Sequence, residues 1–306
     1  MRSFIVLLVV FCVTPLLVAT EVMAAEVMVA EVIATELVTS EVAVDQAGDG
    51  LALRGAMQQG GMIVGKALPG SRVTLDGSAV MVAGDGTFVI GFDRDAKSSA
   101  ELVVTPSAGE AVRQSLAVSP RDYAIQRIEG IAKKIMSPSE ASLIRIRSET
   151  AEVKQARAQL LSRMDFSGRF QWPLVGPISG VYGSQRVYNG VPKRPHYGVD
   201  VAAPTGTPVS TPAPGLVTLA HPDMFYSGGT LIIDHGHGVS STLMHLSKVL
   251  VSVGDEVVPG DIVAEVGSGG RATGPHLDWR MNWLKARIDP QLLVPPMSVA
   301  AVNNEQ

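Results

Sequence analysis

The sequence predicts a mainly β protein: an antiparallel sheet in the carboxy-terminal half, preceded by a small β-sandwich and a connecting helical segment. Three observations predict it. The 306 residues include 31 Gly and 19 Pro with only 5% aromatics, a composition that favours β structure rich in turns. After residue 46, short apolar stretches alternate with turn signals over most of the chain. Between 121 and 166 the apolar spacing changes to that of a helix.

Bulk properties exclude several classes. With 46% hydrophobic and 18% charged residues the chain is neither disordered nor collagen-like. Lys+Arg number 25 against 29 Asp+Glu, for a formal charge of −4. No basic stripe is available to displace counterions from phosphates, so nucleic acid is not an expected partner. The length allows a sizeable core and about two domains.

Residues 1–25 read as a signal peptide. Arg2 precedes an apolar run over 4–19, broken only by Thr14 and Pro15, and small residues follow at Ala24 and Ala25. The run is short beside the roughly 20 apolar residues of a spanning helix, which leaves an uncleaved anchor as the alternative. Phe11 stands before the single cysteine, Cys12, where a lipoprotein signal wants a small residue. The expected product is an exported, cysteine-free protein of the periplasm or cell envelope, with no stable membrane insertion after cleavage. Residues 26–45 continue a pentad pattern in which Glu recurs at 21, 26, 31, 36 and 41. A period of five matches neither helix nor strand, so this reads as a low-complexity spacer.

Residues 46–120 read as the β-sandwich. Val73 and Leu75 precede Asp76-Gly77, Val80 and Val82 precede Gly84-Asp85-Gly86, and Phe88, Ile90 and Phe92 follow with strand period. Leu102 with Val104, and Leu116 with Val118, continue it. Residues 121–166 read as the helical connector. Ser137 as cap, Pro138 in the first turn and Glu140 three residues after the cap mark a helix start. Leu143, Ile146, Val153 and Leu160 form its apolar face as far as about Met164, with Glu149 and Glu152 on a solvated face.

The chemistry is concentrated in residues 167–295, leaving 296–306 as a tail. All six histidines fall there, at 196, 221, 235, 237, 245 and 276. Strand-like segments over 197–201, 216–219, 230–233, 241–246 and 262–266 predict a mostly antiparallel sheet. On strands, His196 and Asp200 share a face, and so do His276 and Asp278, with His245 available from a third strand. Converging imidazoles and carboxylates are what a zinc site requires. His235 and His237 read as turn residues and His221 as a loop residue, so none of the three is a candidate ligand.

The run Pro195-His196-Tyr197-Gly198-Val199-Asp200-Val201-Ala202-Ala203-Pro204 resembles the first metal motif of the M23 (LytM/lysostaphin-like) zinc metallopeptidases. Thr242-Leu243-Met244-His245-Leu246-Ser247 and Gly274-Pro275-His276-Leu277-Asp278 resemble the family's two other signatures in order and spacing. Val253-Gly254-Asp255-Glu256-Val257 and Gly260-Asp261-Ile262-Val263-Ala264 resemble its glycine-turn segment. The upstream β module is similar, more loosely, to the amino-terminal module of some envelope members.

The resemblance implies a LytM-like β-sheet metallopeptidase domain and a peptidoglycan endopeptidase acting on stem-peptide cross-links, with one Zn2+ per chain. By motif, His196, Asp200 and Asp278 would bind the metal, and His245 and His276 would be catalytic. A regulatory envelope protein is a further implied partner. Tyr182, Arg186 and Asn189 lie where the family's substrate groove is bordered. One departure stands out: the third ligand is normally the second His of a His-x-His pair, and here it is Asp278. Two carboxylates and one neutral His cancel the charge of zinc, which predicts a pH optimum above that of an Asp278→His variant.

Two rival functions follow. Some relatives have lost metal ligands and act as non-catalytic LytM-like activators of other wall hydrolases. The glycine turns also resemble those of biotinyl or lipoyl carriers, which need a modifiable Lys at a hairpin tip. The corresponding stretch, Pro212-Ala213-Pro214-Gly215-Leu216-Val217, has none.

Overall fold

A computed structural model describes residues 43–44, 50–128 and 139–297. The expected signal peptide, most of the pentads, the expected Ser137-Pro138 helix start and the end of the tail lie outside the described residues. Among the described residues no helix is long and apolar enough to cross a membrane.

The amino-terminal strands are β1 (Ala43–Val44), β2 (Ala52–Gly55), β3 (Met62–Lys66), β4 (Arg72–Leu75), β5 (Ser78–Val80), β6 (Thr87–Gly91), β7 (Ser99–Thr105) and β8 (Val112–Ala117). They form two antiparallel sheets, ordered β1-β2-β3-β6 and β5-β4-β7-β8. Ile63, Phe88, Ile90 and Leu102 are fully buried, with Val73, Val104 and Leu116 beside them, and β6 is buried on both faces, Val89 included. Asp76 (φ 48°) and Gly77 (φ 76°) make the two-residue turn between β4 and β5, the conformation that Asp-Gly adopts with least strain. The last described spacer residues, Ala43 and Val44, pair with Arg54 and Leu53 as an edge strand.

The connector departs from its helical reading at both ends. Its start holds β9 (Ile125–Ile128), which runs parallel to β11 (Gln185–Tyr188) of the carboxy-terminal half. Helix α1 spans Glu140–Arg157, with Ser139 as its cap, accepting the Ser142 N–H. The helix stops short of Met164, and Leu160 stands 57% exposed beyond it. Val153 and Ala156 pack on Leu219, Met224 and Ile232. Glu149 is buried, contrary to the solvated face expected for it: it accepts hydrogen bonds from Arg145 Nε at 2.6 Å and the Phe225 N–H at 2.8 Å. Helical period cannot tell a buried carboxylate with two donors from a solvated one.

The remaining strands are β10 (Ile178–Gly180), β12 (Val191–Pro192), β13 (Val199–Ala202), β14 (Pro208–Ser210), β15 (Gly215–Met224), β16 (Gly228–Gly236), β17 (Val239–Val249), β18 (Glu256–Val257), β19 (Ile262–Val266), β20 (His276–Trp283) and β21 (Ala286–Ile288). The main sheet is antiparallel throughout, in the order β10-β13-β20-β17-β16-β15-β18, with β19 pairing β14 and β17, and β21 pairing β20. One face buries Val199, Val201, Leu243, Leu277 and Trp279 completely. The opposite face of β13, β20 and β17 is left to carry polar groups.

The two halves share one continuous apolar core. Polar ties reinforce it. Arg121 Nη1 meets the buried Asp289 carboxylate at 2.8 Å, and Arg94 Nε donates to the Gly183 carbonyl at 2.9 Å. Tyr182 is buried at this junction and donates to Arg287 O at 2.7 Å, so it is a packing residue rather than a groove contact. Arg186 and Asn189 are exposed on the β11–β12 hairpin.

Candidate metal centre

The central strands bring the predicted site together by register. Asp200 on β13 lies opposite Asp278 on β20, and Met244 on β17 lies opposite Asp278 from the other side. His196 precedes β13 instead of lying on it, yet its Nε2 comes within 3.1 Å of Asp200 Oδ1 and 3.4 Å of Asp278 Oδ2. One donor atom from each of His196, Asp200 and Asp278 falls within 4.8 Å of the others.

His245 reaches the same face by breaking strand alternation. Strict alternation along β17 would turn it towards the core with Leu243. Its backbone is left-handed instead (φ 63°), beside a register shift between β17 and β19. That conformation is uncommon for a residue with a side chain and concentrates at functional sites. The His245 ring centre consequently lies 4.7 Å from that of His276.

Backbone carbonyls fix the tautomers, because a carbonyl can only accept. Nδ1 of His196 faces Val181 O at 3.2 Å, Nδ1 of His245 faces Gly269 O at 2.8 Å, and Nδ1 of His276 faces Gly274 O at 2.8 Å. In the neutral rings each Nδ1 carries the proton, so each Nε2 is left with a lone pair. His276 Nε2 lies 3.9 Å from Asp200 Oδ1.

The electrostatics depend on a residue outside the three motifs. Arg280, two positions beyond Asp278 on the same face of β20, donates from Nε to Oδ1 (3.0 Å) and Oδ2 (3.1 Å) and from Nη2 to Oδ2 (2.6 Å). Burial works to raise the Asp278 pKa, but the Arg280 charge and the His196 contact override it and hold the carboxyl well below the usual range. Burial likewise works to lower His196, and the Asp200 and Asp278 carboxylates outweigh it, raising the imidazole to about 10. His245 is pushed down, mainly by burial, and stays neutral at pH 7. The period-two run His276, Asp278, Arg280 was the available sequence signal.

The donor set suits a divalent cation. His196 Nε2 and Asp200 Oδ1 are buried 3.1 Å apart with no well-directed hydrogen bond, and a shared cation would satisfy both. Space is reserved around the carboxylates. A Cβ on Gly180 would overlap Asp200 Oδ2, and one on Gly198 would come to 2.5 Å from Asp278 Oδ1 and 2.6 Å from Arg280 Cγ.

Two of the other histidines serve packing, His235 against Phe170 and His237 against Phe166. His235 lies on β16 instead of in a turn, fully buried between Pro214 O (2.6 Å) and Ser241 Oγ (2.7 Å). His221 lies on β15, not in a loop, and His237 occupies the turn after β16 with φ 49°. The strand positions of His221 and His235 depend on pairing that local Pro and Gly signals could not reveal, whereas the turn at His237 is the one those signals predict.

Residues 194–290 match Peptidase family M23. A crystal structure of a Pseudomonas aeruginosa protein assigned to peptidase M23 superposes with a TM-score of 0.59 at 30% identity, over 77% of this chain and 94% of that one. The chain belongs to peptidase family M23. As an M23 chain it is also 37% identical over 134 residues to the peptidoglycan DD-endopeptidase ShyA of Vibrio cholerae serotype O1, covering 40% of this chain and 30% of that protein. It is 42% identical over 107 residues to the DD-carboxypeptidase/endopeptidase Mpg of Neisseria meningitidis serogroup B, covering 35% and 23%. The matched M23 segment thus spans less than a third of the length of these curated relatives.

Proposed function

We propose that this M23 chain is an exported, zinc-dependent endopeptidase that hydrolyses peptide cross-links of peptidoglycan in the periplasm or cell envelope. The carrying observation is the convergence of His196, Asp200 and Asp278 within 4.8 Å beside the paired His245 and His276 rings. Its likeness to the peptidoglycan DD-endopeptidase ShyA supports the substrate class.

His196, Asp200 and Asp278 would hold one zinc ion, which when bound supplies Lewis acidity towards water and a peptide carbonyl. The remaining work belongs to the protein. His245 is kept neutral by burial, and Gly269 O holds its proton at Nδ1, so Nε2 is the atom that takes a proton from the attacking water. His276, oriented by Gly274 O, presents Nε2 beside Asp200, and it steadies charge developing on the carbonyl oxygen when that nitrogen also carries a proton. Hydrogen bonds to main-chain carbonyls hold both rings in place without competing for Nε2.

One observation favours a second reading, the non-catalytic activator. Arg280 already balances the Asp278 carboxylate, so that part of the site is satisfied without an ion. Digestion of cross-linked sacculi, read by mass spectrometry of released muropeptides, separates the two. The endopeptidase reading expects dimers to fall to monomers with the zinc-loaded chain, and to persist with His245→Ala or after chelation. Dimers that persist in every sample sink it in favour of the activator.

A further inference from the structure

We propose that Asp278 and Arg280 work as one unit, with Arg280 a positioning residue that makes the carboxylate a usable replacement for an imidazole at the third zinc position. The inference rests on the zinc reading above and concerns how this chain tolerates its departure from His-x-His.

A carboxylate differs from an imidazole in two respects. It adds a negative charge to the donor set, and it rotates about its Cβ–Cγ bond unless both oxygens are engaged. Arg280 answers both. Its guanidinium returns a positive charge that does not titrate in a protein. Its contacts reach both oxygens, at 3.0 and 3.1 Å from Nε and 2.6 Å from Nη2, and so set the carboxylate plane. With the plane set, Oδ2 stands 3.4 Å from His196 Nε2, facing the other candidate ligands. Asp200, Asp278 and Arg280 together carry one negative charge, the same as two imidazoles and one carboxylate. The extra charge counted from the sequence is therefore offset, and the upward displacement of the pH optimum expected from it shrinks accordingly.

The surroundings are shaped for the pair. Val199 on β13 lies opposite Trp279, which brings Gly198 alongside Arg280. A Cβ there would press on Asp278 Oδ1 and Arg280 Cγ together. On the other flank Thr242 lies opposite Arg280, but its hydroxyl is taken by Arg157 Nη2 at 2.7 Å. Arg280 thus has a carboxylate partner at Asp278, with side chain 3% exposed, and is itself 23% exposed.

A double-mutant cycle on the full chain tests the unit. Zinc dissociation constants would be measured by competition with a chromophoric chelator for the wild type, Arg280→Gln, Arg280→Lys, Asp278→His and Asp278→His/Arg280→Gln. Melting temperatures of the metal-free proteins would be recorded alongside. Arg280→Gln is expected to weaken zinc binding about 10- to 100-fold. Arg280→Lys should recover only part of that loss, because an ammonium keeps the charge and not the fork. In the Asp278→His background Arg280→Gln should leave zinc binding unchanged or tighten it, since an imidazole needs no cationic partner. An equal loss in both backgrounds would overturn the proposal in favour of a role in holding the fold. So would a wild-type affinity retained by Arg280→Gln. If the Gln variant does not fold, Arg280→Lys in the two backgrounds carries the same comparison. A wild type that takes up no zinc would overturn the zinc reading itself, a result distinct from the other two.

Discussion

The rings of His245 and His276 stand 4.7 Å apart between centroids and tilted by 49°, although His245 lies on β17 and His276 begins β20. Each faces a main-chain carbonyl through Nδ1, and the left-handed backbone of His245 is what turns its ring to this face.

That arrangement predicts a separation of binding from chemistry. His245→Ala should retain zinc and lose about a hundred- to ten-thousand-fold in turnover, the usual worth of a proton-transferring side chain. His196→Ala should lose the metal along with the activity. Metal analysis beside muropeptide release checks both, and a His245→Ala protein that had lost its zinc would contradict the assignment.

Gly198→Ala should damage the site through the neighbouring strand. Its Cβ would approach Asp278 Oδ1 at 2.5 Å and Arg280 Cγ at 2.6 Å, in a sheet that cannot move aside freely. Overpacking of this kind costs about 1–3 kcal/mol. Zinc affinity and melting temperature should fall together, whereas an alanine variant equal to wild type in both would show that the cradle has slack.

Much of this was legible beforehand, for identifiable reasons. Asp76-Gly77 announced its hairpin because few other pairs accept two positive φ angles. His196, Asp200, His276 and Asp278 could be grouped because strand period places residues two and four apart on one side. His245 could only be suggested, since its placement depends on a break in that period. Arg280 occupies the next period-two position, but sequence alone does not say that it closes on Asp278. Glu149 and His235 were misplaced because their donors and acceptors come from Phe225, Pro214 and Ser241, distant in sequence.

Asp234 and His235 should pull acid stability in opposite directions. Burial lowers His235 to about 4, so the unfolded chain takes up a proton that the native state refuses, and stability falls as pH drops from 6.5 towards 4. Burial raises Asp234 from 3.8 to about 6, so over that window its contribution falls as pH rises. Asp234→Asn keeps an acceptor for the Gly236 N–H and removes the second slope. Denaturant unfolding should show the variant losing about 2 kcal/mol more than wild type between pH 6.5 and 4. Parallel curves would rule the opposition out.

Arg121→Ala should loosen the junction between the amino-terminal sheets and the M23 sheet. It strands Asp289, whose side chain is 1% exposed and whose pKa burial already raises. Breaking a buried pair on one side costs about 3 kcal/mol. The loss should be full at neutral pH and shrink in acid, where Asp289 can take a proton. Unfolding measured at two pH values checks the sign, and a loss that grew in acid would contradict it.

His196, Asp200 and Asp278 are expected to share one zinc ion. Crystals of the full chain soaked in zinc, with diffraction recorded on both sides of the zinc absorption edge, test it most directly. One anomalous peak is expected at about 2.0–2.2 Å from His196 Nε2 and from an oxygen of each aspartate, with Arg280 still closed on Asp278. A peak bound by His196 and Asp200 while Asp278 remains out of reach, or no peak at all, would contradict it.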